Sequence, residues 1–466
     1  MKLSTAFAAA LFALMSGRPA WAGPPTETFN VPGFGQVALY APPATPSEVV
    51  LFISGDGGWN LGVVPMAEAL RDLGALVAGI DIRAFMKTLE ASSGCAYPAG
   101  ALEGLSRTVQ LRRKLPEYKR PILVGYSSGA TLVYAALAAA PPETFAGAIS
   151  LGFCPDLEIN RPVCQQGGLT AVRRTKGVGY DLAPNRAIQP PWMVLQGEVD
   201  QVCAPATTRA FVNAVPAGRV FSLPRVGHGF GVPRNWEPQY LDAYRAIVAR
   251  KVGAAELTTA PEVRDLGLTE VPVSRTARTD TMAIVLTGDG GWAELDKSVA
   301  QELAARGVPA VGWSSLRYYW TPRTPEAAAA DLGRIIRHYV PAWNVQRVVL
   351  VGYSFGADVL PFLVNRLPSD VLARIRSVAL LGLSEAAAFE FRLADWLGAG
   401  GDSRYATPPE VERLRVPIVC VRGADESDSV CRALKGPHVT SVDVGRGHHF
   451  SGEYDRLASV ILESQR

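Results

Sequence analysis

Long apolar segments and blocks of like charge are both scarce in this sequence of 466 residues. After the first 22 residues no stretch is long and apolar enough to span a bilayer, which predicts no integral membrane segment in the mature protein. Lysine and arginine number 46 against 43 acidic residues, without a basic cluster, so we expect no nucleic-acid partner. Because 48% of the residues are hydrophobic, a chain of this length should fold into two or three domains.

Cysteines spaced as in zinc sites are missing as well. The six cysteines form no C-x-x-C or C-x-x-H cluster, so the sequence predicts neither a metal site nor a cofactor. All six lie in the part of the chain that we expect to be exported, where disulfides are permitted. Four cysteines in the first half allow three connectivities. The pairings favoured by sequence are Cys154–Cys164, Cys420–Cys431 and Cys95–Cys203.

The amino terminus has the pattern of a secretory signal peptide. Lys2 precedes an apolar run from Leu3 to Met15, and Ala20-Trp21-Ala22 supplies small residues for cleavage. A membrane anchor would need a longer run, which Gly17-Arg18-Pro19 interrupts. The first cysteine, Cys95, lies far beyond the cleavage site, so no lipid anchor is expected. Residues 1–22 are therefore predicted to be removed, leaving a periplasmic protein.

The two halves of the chain repeat each other. Four motifs occur in the same order in both halves, which indicates two copies of one domain. The pairs are 52–59 with 285–292, 125–130 with 352–357, 200–203 with 428–431, and 227–230 with 447–450. Residues 254–261 have no strand or helix periodicity and include a proline. We therefore predict domains at 23–252 and 264–466, joined by a linker at 253–263.

Within each copy, short apolar strands alternate with helical segments. The run Val49–Ile53 is typical of a strand buried on both faces, and a strand at 121–126 is followed by an Ala-rich helix at 129–140. The second copy has the same alternation, with strands at 283–287 and 345–353. Strands separated by helices predict an α/β fold in each copy, a mostly parallel sheet with helices on both faces.

A strand, then Gly-x-Ser-x-Gly, then a helix is typical of a nucleophile elbow, a strained turn that exposes a serine. Ser127 and Ser354 occupy that position. A serine hydroxyl is a poor nucleophile unless a histidine accepts its proton and a carboxylate orients the histidine. α/β-Hydrolases supply these groups in the order Ser, Asp, His, and each half contains them in that order. The sequence thus predicts two tandem α/β-hydrolase domains.

The predicted triad of the first half is Ser127, Asp200 and His228. That of the second half is Ser354, an acid and His448. The shared Asp-x-Val-Cys pattern favours Asp428 as the acid. Counting from the preceding glycine favours Glu426 instead, and proximity to the strand favours Asp425.

His449 is the other candidate base, but the first half has Gly229 at that position. The loop Gly-Asp-Gly-Gly-Trp after the first buried strand is expected to supply one oxyanion-hole N–H, and the residue after each serine the other. The predicted donors, to within one residue, are Gly57 with Ser128 and Gly290 with Phe355. A plain tight turn is the alternative interpretation of the glycine-rich loop.

The motifs 287–292, 316–320, 351–361 and 447–450 together resemble the AcvB/VirJ family. The resemblance covers essentially the mature chain and is strongest from about residue 264. It implies a periplasmic α/β-hydrolase associated with virulence and acid tolerance. It also implies cleavage of the aminoacyl ester of lysyl- or alanyl-phosphatidylglycerol at the membrane surface, with Ser354 as nucleophile.

A cationic aminoacyl group favours carboxylates and aromatic faces, and a lipid phosphate favours arginine. The expected substrate contacts in the second half are Asp358, Glu385, Arg317, Tyr318, Tyr319 and Trp320. The first half has Thr131 in place of Asp358 and Ala84-Phe85-Met86 in place of the aromatic cluster, so the halves are not expected to bind identical ligands. A carboxylesterase for other esters and a non-catalytic secretion accessory protein remain alternatives. The sequence does not indicate an oligomeric state.

Overall fold

The computed structural model describes residues 24–60, 62–91, 94–141, 143–165, 167–255, 260–273, 279–292, 294–391 and 405–464. The predicted signal peptide, residues 1–22, lies outside the described residues, as do residues 256–259 of the predicted linker. The predicted domain boundaries therefore stay predictions.

The first half is built around an eight-stranded sheet whose central strands are buried on both faces. The sheet has the order β1-β2-β4-β3-β5-β6-β10-β11, in which β1 and β2 run antiparallel to their neighbours and all other pairs are parallel. In the register, Leu51 pairs with Ala78 on one side and Leu123 on the other. A small antiparallel sheet, β7-β9-β8, follows β6. The strands are β1 (Glu27–Val31), β2 (Gly35–Tyr40), β3 (Glu48–Ile53), β4 (Ala75–Ile80), β5 (Ile122–Tyr126), β6 (Gly147–Leu151), β7 (Asp156–Leu157), β8 (Ala171–Arg173), β9 (Tyr180–Leu182), β10 (Trp192–Gly197) and β11 (Gly218–Leu223).

Helices cover both faces of this sheet because it presents apolar side chains on each side. Met66 and Tyr240 pack with Val50 on one face, and Leu102 and Leu132 pack on the other. The helices are α1 (Val64–Asp72), α2 (Ile82–Ala91), α3 (Pro98–Arg112), α4 (Ser128–Ala139), α5 (Pro205–Asn213) and α6 (Glu237–Ala255), with a 3₁₀ turn at Pro233–Asn235.

The second half repeats this plan, and its described residues contain no counterpart of β1. Its seven-stranded sheet has the order β12-β14-β13-β15-β16-β19-β20, and only β12 is antiparallel to its neighbour. The strands are β12 (Leu268–Val271), β13 (Thr281–Leu286), β14 (Ala310–Trp313), β15 (Arg347–Tyr353), β16 (Ile375–Leu381), β17 (Ala386–Ala387), β18 (Tyr405–Ala406), β19 (Ile418–Arg422) and β20 (Val439–Asp443). The matching strand orders confirm the prediction of two α/β-hydrolase domains.

The helices of the second half again lie on both faces of the sheet. Ala357 and Ile335 pack on one face, and Val299 and Leu457 pack on the other. The helices are α7 (Glu294–Ala305), α8 (Ser315–Tyr318), α9 (Pro325–Ala342), α10 (Phe355–Val364), α11 (Ser369–Leu372), α12 (Thr407–Glu412) and α13 (Tyr454–Glu463), with 3₁₀ turns at Arg264–Leu266, Val430–Arg432 and Phe450–Gly452. Among the described residues, no helix combines the length and apolar composition that crossing a membrane requires.

The halves touch through α3 and the loop that follows it. The indole Nε1 of Trp320 donates a hydrogen bond of 2.8 Å to the carbonyl of Leu115, and the rings of Tyr118 and Trp320 lie 5.2 Å apart. Arg107, buried on α3, also reaches Asp289 of the second half, with 3.8 Å between Nη1 and Oδ2. A buried indole thus joins the two halves.

Three disulfides are present, and only one has the predicted partners. Cys420–Cys431 is confirmed. The other predicted pairs are wrong, because the structure joins Cys95 to Cys164 and Cys154 to Cys203. Sequence proximity favoured the wrong pairs. The fold instead brings the loop after β6 against the loop after β10.

Candidate active site

Both Gly-x-Ser-x-Gly motifs form strained turns between a strand and a helix. Ser127 has φ 55° and ψ −123°, and Ser354 has φ 50° and ψ −118°, a left-handed backbone that non-glycine residues rarely adopt. Glycine is required two residues after each serine. A Cβ on Gly129 would lie 2.4 Å from the carbonyl oxygen of Ser54, and one on Gly356 would lie 2.1 Å from that of Leu286.

In the first half the three predicted side chains form one hydrogen-bonded chain. Ser127 Oγ lies 2.8 Å from His228 Nε2, and His228 Nδ1 lies 2.9 Å from Asp200 Oδ2. The other carboxylate oxygen of Asp200 accepts the N–H groups of Val202 and Cys203 at 2.8 and 2.9 Å. This is the geometry of a serine nucleophile with its base and its orienting acid.

In the second half Glu426, not Asp428, lies beside the histidine. Glu426 Oε1 is 2.5 Å from His448 Nδ1, and its Oε2 accepts the N–H of Gly423 at 3.0 Å. Asp428 is exposed and accepts a hydrogen bond from the hydroxyl of Ser427. The expectation that Asp428 orients the histidine is therefore wrong. The Asp-x-Val-Cys motif begins two residues further from the strand-ending glycine in this half, so counting from the glycine gives the correct position of the acid.

The third acid candidate, Asp425, accepts the backbone N–H of Gly447 at 2.6 Å and so fixes the histidine loop. The acid bonds to His448 and not to His449, whose Nδ1 lies 3.0 Å from the hydroxyl of Tyr353. Within the described residues Ser354 Oγ and His448 form no hydrogen bond. Such catalytic bonds often tighten only when substrate binds.

A tyrosine that the sequence analysis did not single out holds each histidine loop. The hydroxyl of Tyr126 donates to the carbonyl of His228 at 2.9 Å, and that of Tyr353 donates to the carbonyl of His448 at 3.3 Å. Both tyrosines directly precede the serine. The Gly-Tyr-Ser sequence, which is repeated in both halves, is the pattern from which these tyrosines could have been identified.

The glycine-rich loops lie against the serines, as an oxyanion hole requires. A Cβ on Gly55 would lie 3.0 Å from the Cβ of Ser127, and one on Gly288 would lie 3.5 Å from that of Ser354. Helices α4 and α10 begin at Ser128 and Phe355, whose N–H groups have no partner within the helix. The assignment of the second donor to Gly57 and Gly290 stays a prediction.

The predicted aromatic substrate contacts are wrong. Tyr318, Tyr319 and Trp320 are at most 5% exposed and belong to the core, because α8 turns them toward the sheet. Tyr319 packs against Phe355, with 5.2 Å between ring centres, and Trp320 lies at the contact between the halves. The ring that covers Phe355 is Phe391, stacked at 4.7 Å, which no sequence pattern identified.

The three charged substrate candidates have different surroundings. Asp358 is buried beside the elbow, and its Oδ1 accepts the N–H of Ser384 at 2.7 Å. Glu385 is exposed on the same loop after β16. Arg317 is exposed and lies against Gly267, close enough to Arg120 of the first half for an electrostatic interaction. Of the three, Asp358 is the one that acts electrostatically on His448.

Carboxylates around His448 favour its protonated form. The hydrogen bond that His448 donates to Glu426 raises the pKa of His448, and the charges of Asp358 and Asp289 raise it further despite partial burial. For Glu426, burial alone would raise the pKa. The hydrogen bonds from His448 and the Gly423 N–H outweigh it and hold the pKa of Glu426 below its usual value.

One group of side chains in the described residues has the spacing of metal ligands, namely Asp200, Cys203 and His228. Cys203 is bonded to Cys154, so its sulfur cannot ligate a metal. Asp200 and His228 are bonded to each other. These residues fit the hydrolytic triad better than a metal.

One family model and several solved structures are similar to this chain. A family model described as "Bacterial virulence protein (VirJ)" matches residues 47–150 and 280–466. No curated protein sequence matches the chain. Est1E from Butyrivibrio proteoclasticus is 12% identical with a TM-score of 0.33, over 48% of this chain and 98% of its own. XC6422 from Xanthomonas campestris, titled a member of a/b serine hydrolase without lid, is 20% identical with a TM-score of 0.32, over 50% of this chain and 97% of its own.

Proposed function

The chain belongs to the VirJ family of bacterial virulence proteins, and on that premise we propose that it is a serine hydrolase of lysyl- or alanyl-phosphatidylglycerol. The observation that carries the hydrolase assignment is the hydrogen-bonded chain from Ser127 through His228 to Asp200. The paired His448 and Glu426 near the elbow of Ser354 repeat it in part.

The reaction follows from these contacts. The serine Oγ attacks the carbonyl carbon of the aminoacyl ester while the histidine Nε2 takes the hydroxyl proton. The histidine then gives this proton to the departing oxygen of the glycerol headgroup. Water attacks the aminoacyl-serine in the same way and releases the free amino acid. N–H groups of the glycine-rich loop and of the residue after the serine stabilise the negative oxygen in both steps.

The second half is the better candidate for the aminoacyl lipid. Asp289 and Asp358 both act electrostatically on His448, and carboxylates at this distance would favour an aminoacyl ammonium group. Such a substrate exists at a membrane surface, where an exported hydrolase would meet it. Three disulfides among the described cysteines support a periplasmic location.

The test is release of free lysine or alanine from purified lysyl- and alanyl-phosphatidylglycerol. Ser354→Ala should lower release by about 10³-fold or more, and Ser127→Ala should leave most of it. Ser369→Ala, at an exposed serine, is the matched control. If wild type releases neither amino acid, the lipid assignment fails, and a carboxylesterase for other esters or a non-catalytic accessory protein replaces it.

A further inference from the structure

The first half contains a complete triad, whereas hydrolysis of the aminoacyl lipid is proposed for Ser354 of the second half. Ser127 and His228 are partly exposed, and Asp200 is buried and anchored by two backbone N–H groups. The disulfide Cys154–Cys203 ties the acid loop to the loop after β6. A serine nucleophile requires that three side chains distant in sequence keep these hydrogen bonds. A purely structural repeat has no such requirement.

The surroundings of the two serines differ in charge at matched positions. Asp358 stands on the first turn after the Ser354 elbow, and the residue in the same place after Ser127 is Thr131. The hydroxyl of Thr131 donates to the carbonyl of Cys154 at 2.7 Å, so it adds no negative charge. One carboxylate beside the nucleophile is therefore absent from the first half.

The loops that contain the orienting acids also differ, again with less negative charge in the first half. Counted from the glycine that ends the strand, Val199 occupies the position of Asp425. Val199 is 57% exposed and Val202 is 67% exposed, so the acid Asp200 lies between two solvent-facing apolar side chains. The neighbouring Glu198 is neutralised by Arg209, with Nη1 2.6 and 2.8 Å from its two carboxylate oxygens.

The histidine loop adds a third apolar side chain. Val232, four residues after His228, is 47% exposed, where the second half has Gly452 four residues after His448. Asp56 is the carboxylate that the first half retains, because its loop shares Gly-Asp-Gly-Gly with that of Asp289. The loops of the first site thus expose three valines, whereas the second site has Asp358 and Asp425, of which Asp425 pairs with Arg446 at 3.4 Å.

We infer that the first half is a second active site, in which Ser127 hydrolyses esters whose acyl group is uncharged and apolar. Ser127 Oγ bonds to the acyl carbon, His228 moves the hydroxyl proton to the departing alkoxide, and water releases the carboxylic acid and restores the serine. Val199, Val202 and Val232 would contact the acyl chain. The division of substrates between the halves rests on the proposed aminoacyl hydrolysis by the second half, but the activity of Ser127 does not.

The test compares p-nitrophenyl butyrate and octanoate with the p-nitrophenyl ester of lysine. Ser127→Ala should lower kcat/KM for butyrate and octanoate by about 10³-fold or more and leave the lysine ester within about twofold. Ser354→Ala should give the reverse. Each variant therefore reports its own folding through the intact half. Ser369→Ala should change neither rate.

The reciprocal exchange tests the cause of the preference. In the Ser354→Ala background, Thr131→Asp together with Val199→Asp should raise the ratio of lysine-ester to butyrate kcat/KM by about tenfold or more, since one charge contact is worth roughly that factor. Thr131→Asn and Val199→Asn together are the matched control without charge. The inference is overturned if Ser127→Ala leaves butyrate and octanoate hydrolysis unchanged, or if the two halves accept all three esters equally. Ser127-dependent hydrolysis without release of amino acid from the lipids would overturn only the proposed function.

Discussion

Glu426 Oε1 lies 2.5 Å from His448 Nδ1, in the role that the repeated Asp-x-Val-Cys motif gives to Asp428. In the first half the same motif does contain the bonded acid, Asp200. The acid thus stands three residues after the glycine that ends the strand in both halves, whereas the Asp-x-Val-Cys motif begins two residues later in the second half.

This relationship predicts opposite outcomes for two neighbouring substitutions. In the Ser127→Ala background, Glu426→Gln should lower kcat of the second half by about 10³ to 10⁴-fold, because the histidine loses the group that fixes its tautomer. Asp428→Asn should have an effect of less than about twofold. Steady-state kinetics with an aminoacyl ester decide it, and a larger loss in Asp428→Asn would refute the assignment of Glu426.

The raised pKa of His448 predicts the pH profile of the second half. Only the neutral imidazole accepts the serine proton, so kcat/KM in Ser127→Ala should fall on the acid side with a midpoint above about pH 6.5, the usual histidine value. Asp358→Asn removes one carboxylate that acts on His448 and should move this midpoint to lower pH. A midpoint that does not move would argue that Asp358 has no electrostatic effect on the base.

The same pair should stabilise the fold in a defined pH window. Because the pKa of His448 is raised, its contribution is present below about pH 6.5 and is lost as the pH rises through the raised value. Because that of Glu426 is lowered, its contribution is present above about pH 4.3 and is lost as the pH falls through the lowered value. The loss of Tm in Glu426→Gln should therefore be largest between about pH 4.3 and 6.5. Thermal melts from pH 3 to 9 measure it, and a loss independent of pH would contradict it.

Arg107 should couple the first half to the second active site. It bonds to Glu103 at 2.5 Å, is 5% exposed, and lies 3.8 Å from Asp289 in the glycine-rich loop. Arg107→Gln leaves Glu103 without its cation and should cost about 3 to 5 kcal/mol of unfolding free energy. It should also lower Ser354-dependent activity more than Ser127-dependent activity.

The matched control for this change is Arg112→Gln on the same helix. Arg112 is exposed and pairs with Glu27, so its loss should cost about 0 to 1 kcal/mol. Urea unfolding measures the free energy of unfolding. Hydrolysis of p-nitrophenyl butyrate and of the p-nitrophenyl ester of lysine measures the Ser127-dependent and the Ser354-dependent activity. Equal loss of both activities in Arg107→Gln would indicate a general stability effect instead of coupling.

The two disulfides of the first half should separate stability from activity. They span 69 and 49 residues, so replacing either with serines should cost a similar amount, about 4 kcal/mol. Only Cys154–Cys203 joins the acid loop to the loop after β6. Its removal should lower Ser127-dependent activity by about 10- to 100-fold through misplacement of Asp200, and removal of Cys95–Cys164 should not. Equal activity in the two variants at a temperature where both are folded would count against this role.

The sequence alone was sufficient for those features that depend on local chemistry. Strained serine turns require glycine neighbours, and buried parallel strands require continuous apolar runs, so Gly129, Gly356 and Val49–Ile53 identified the elbows and the sheets. The internal repeat identified His228 and His448 because a residue required by the same geometry recurs at the same place.

Only the tertiary structure decided which side chains meet across loops. Glu426 was chosen over Asp428 by the path of the chain after β19, and Cys154 was joined to Cys203 by two loops that are distant in sequence. Likewise, Tyr318, Tyr319 and Trp320 became core because α8 faces the sheet and the other half covers Trp320. A sequence pattern specifies what each residue can do, whereas the distance between two loop residues depends on how the whole sheet and its connections pack.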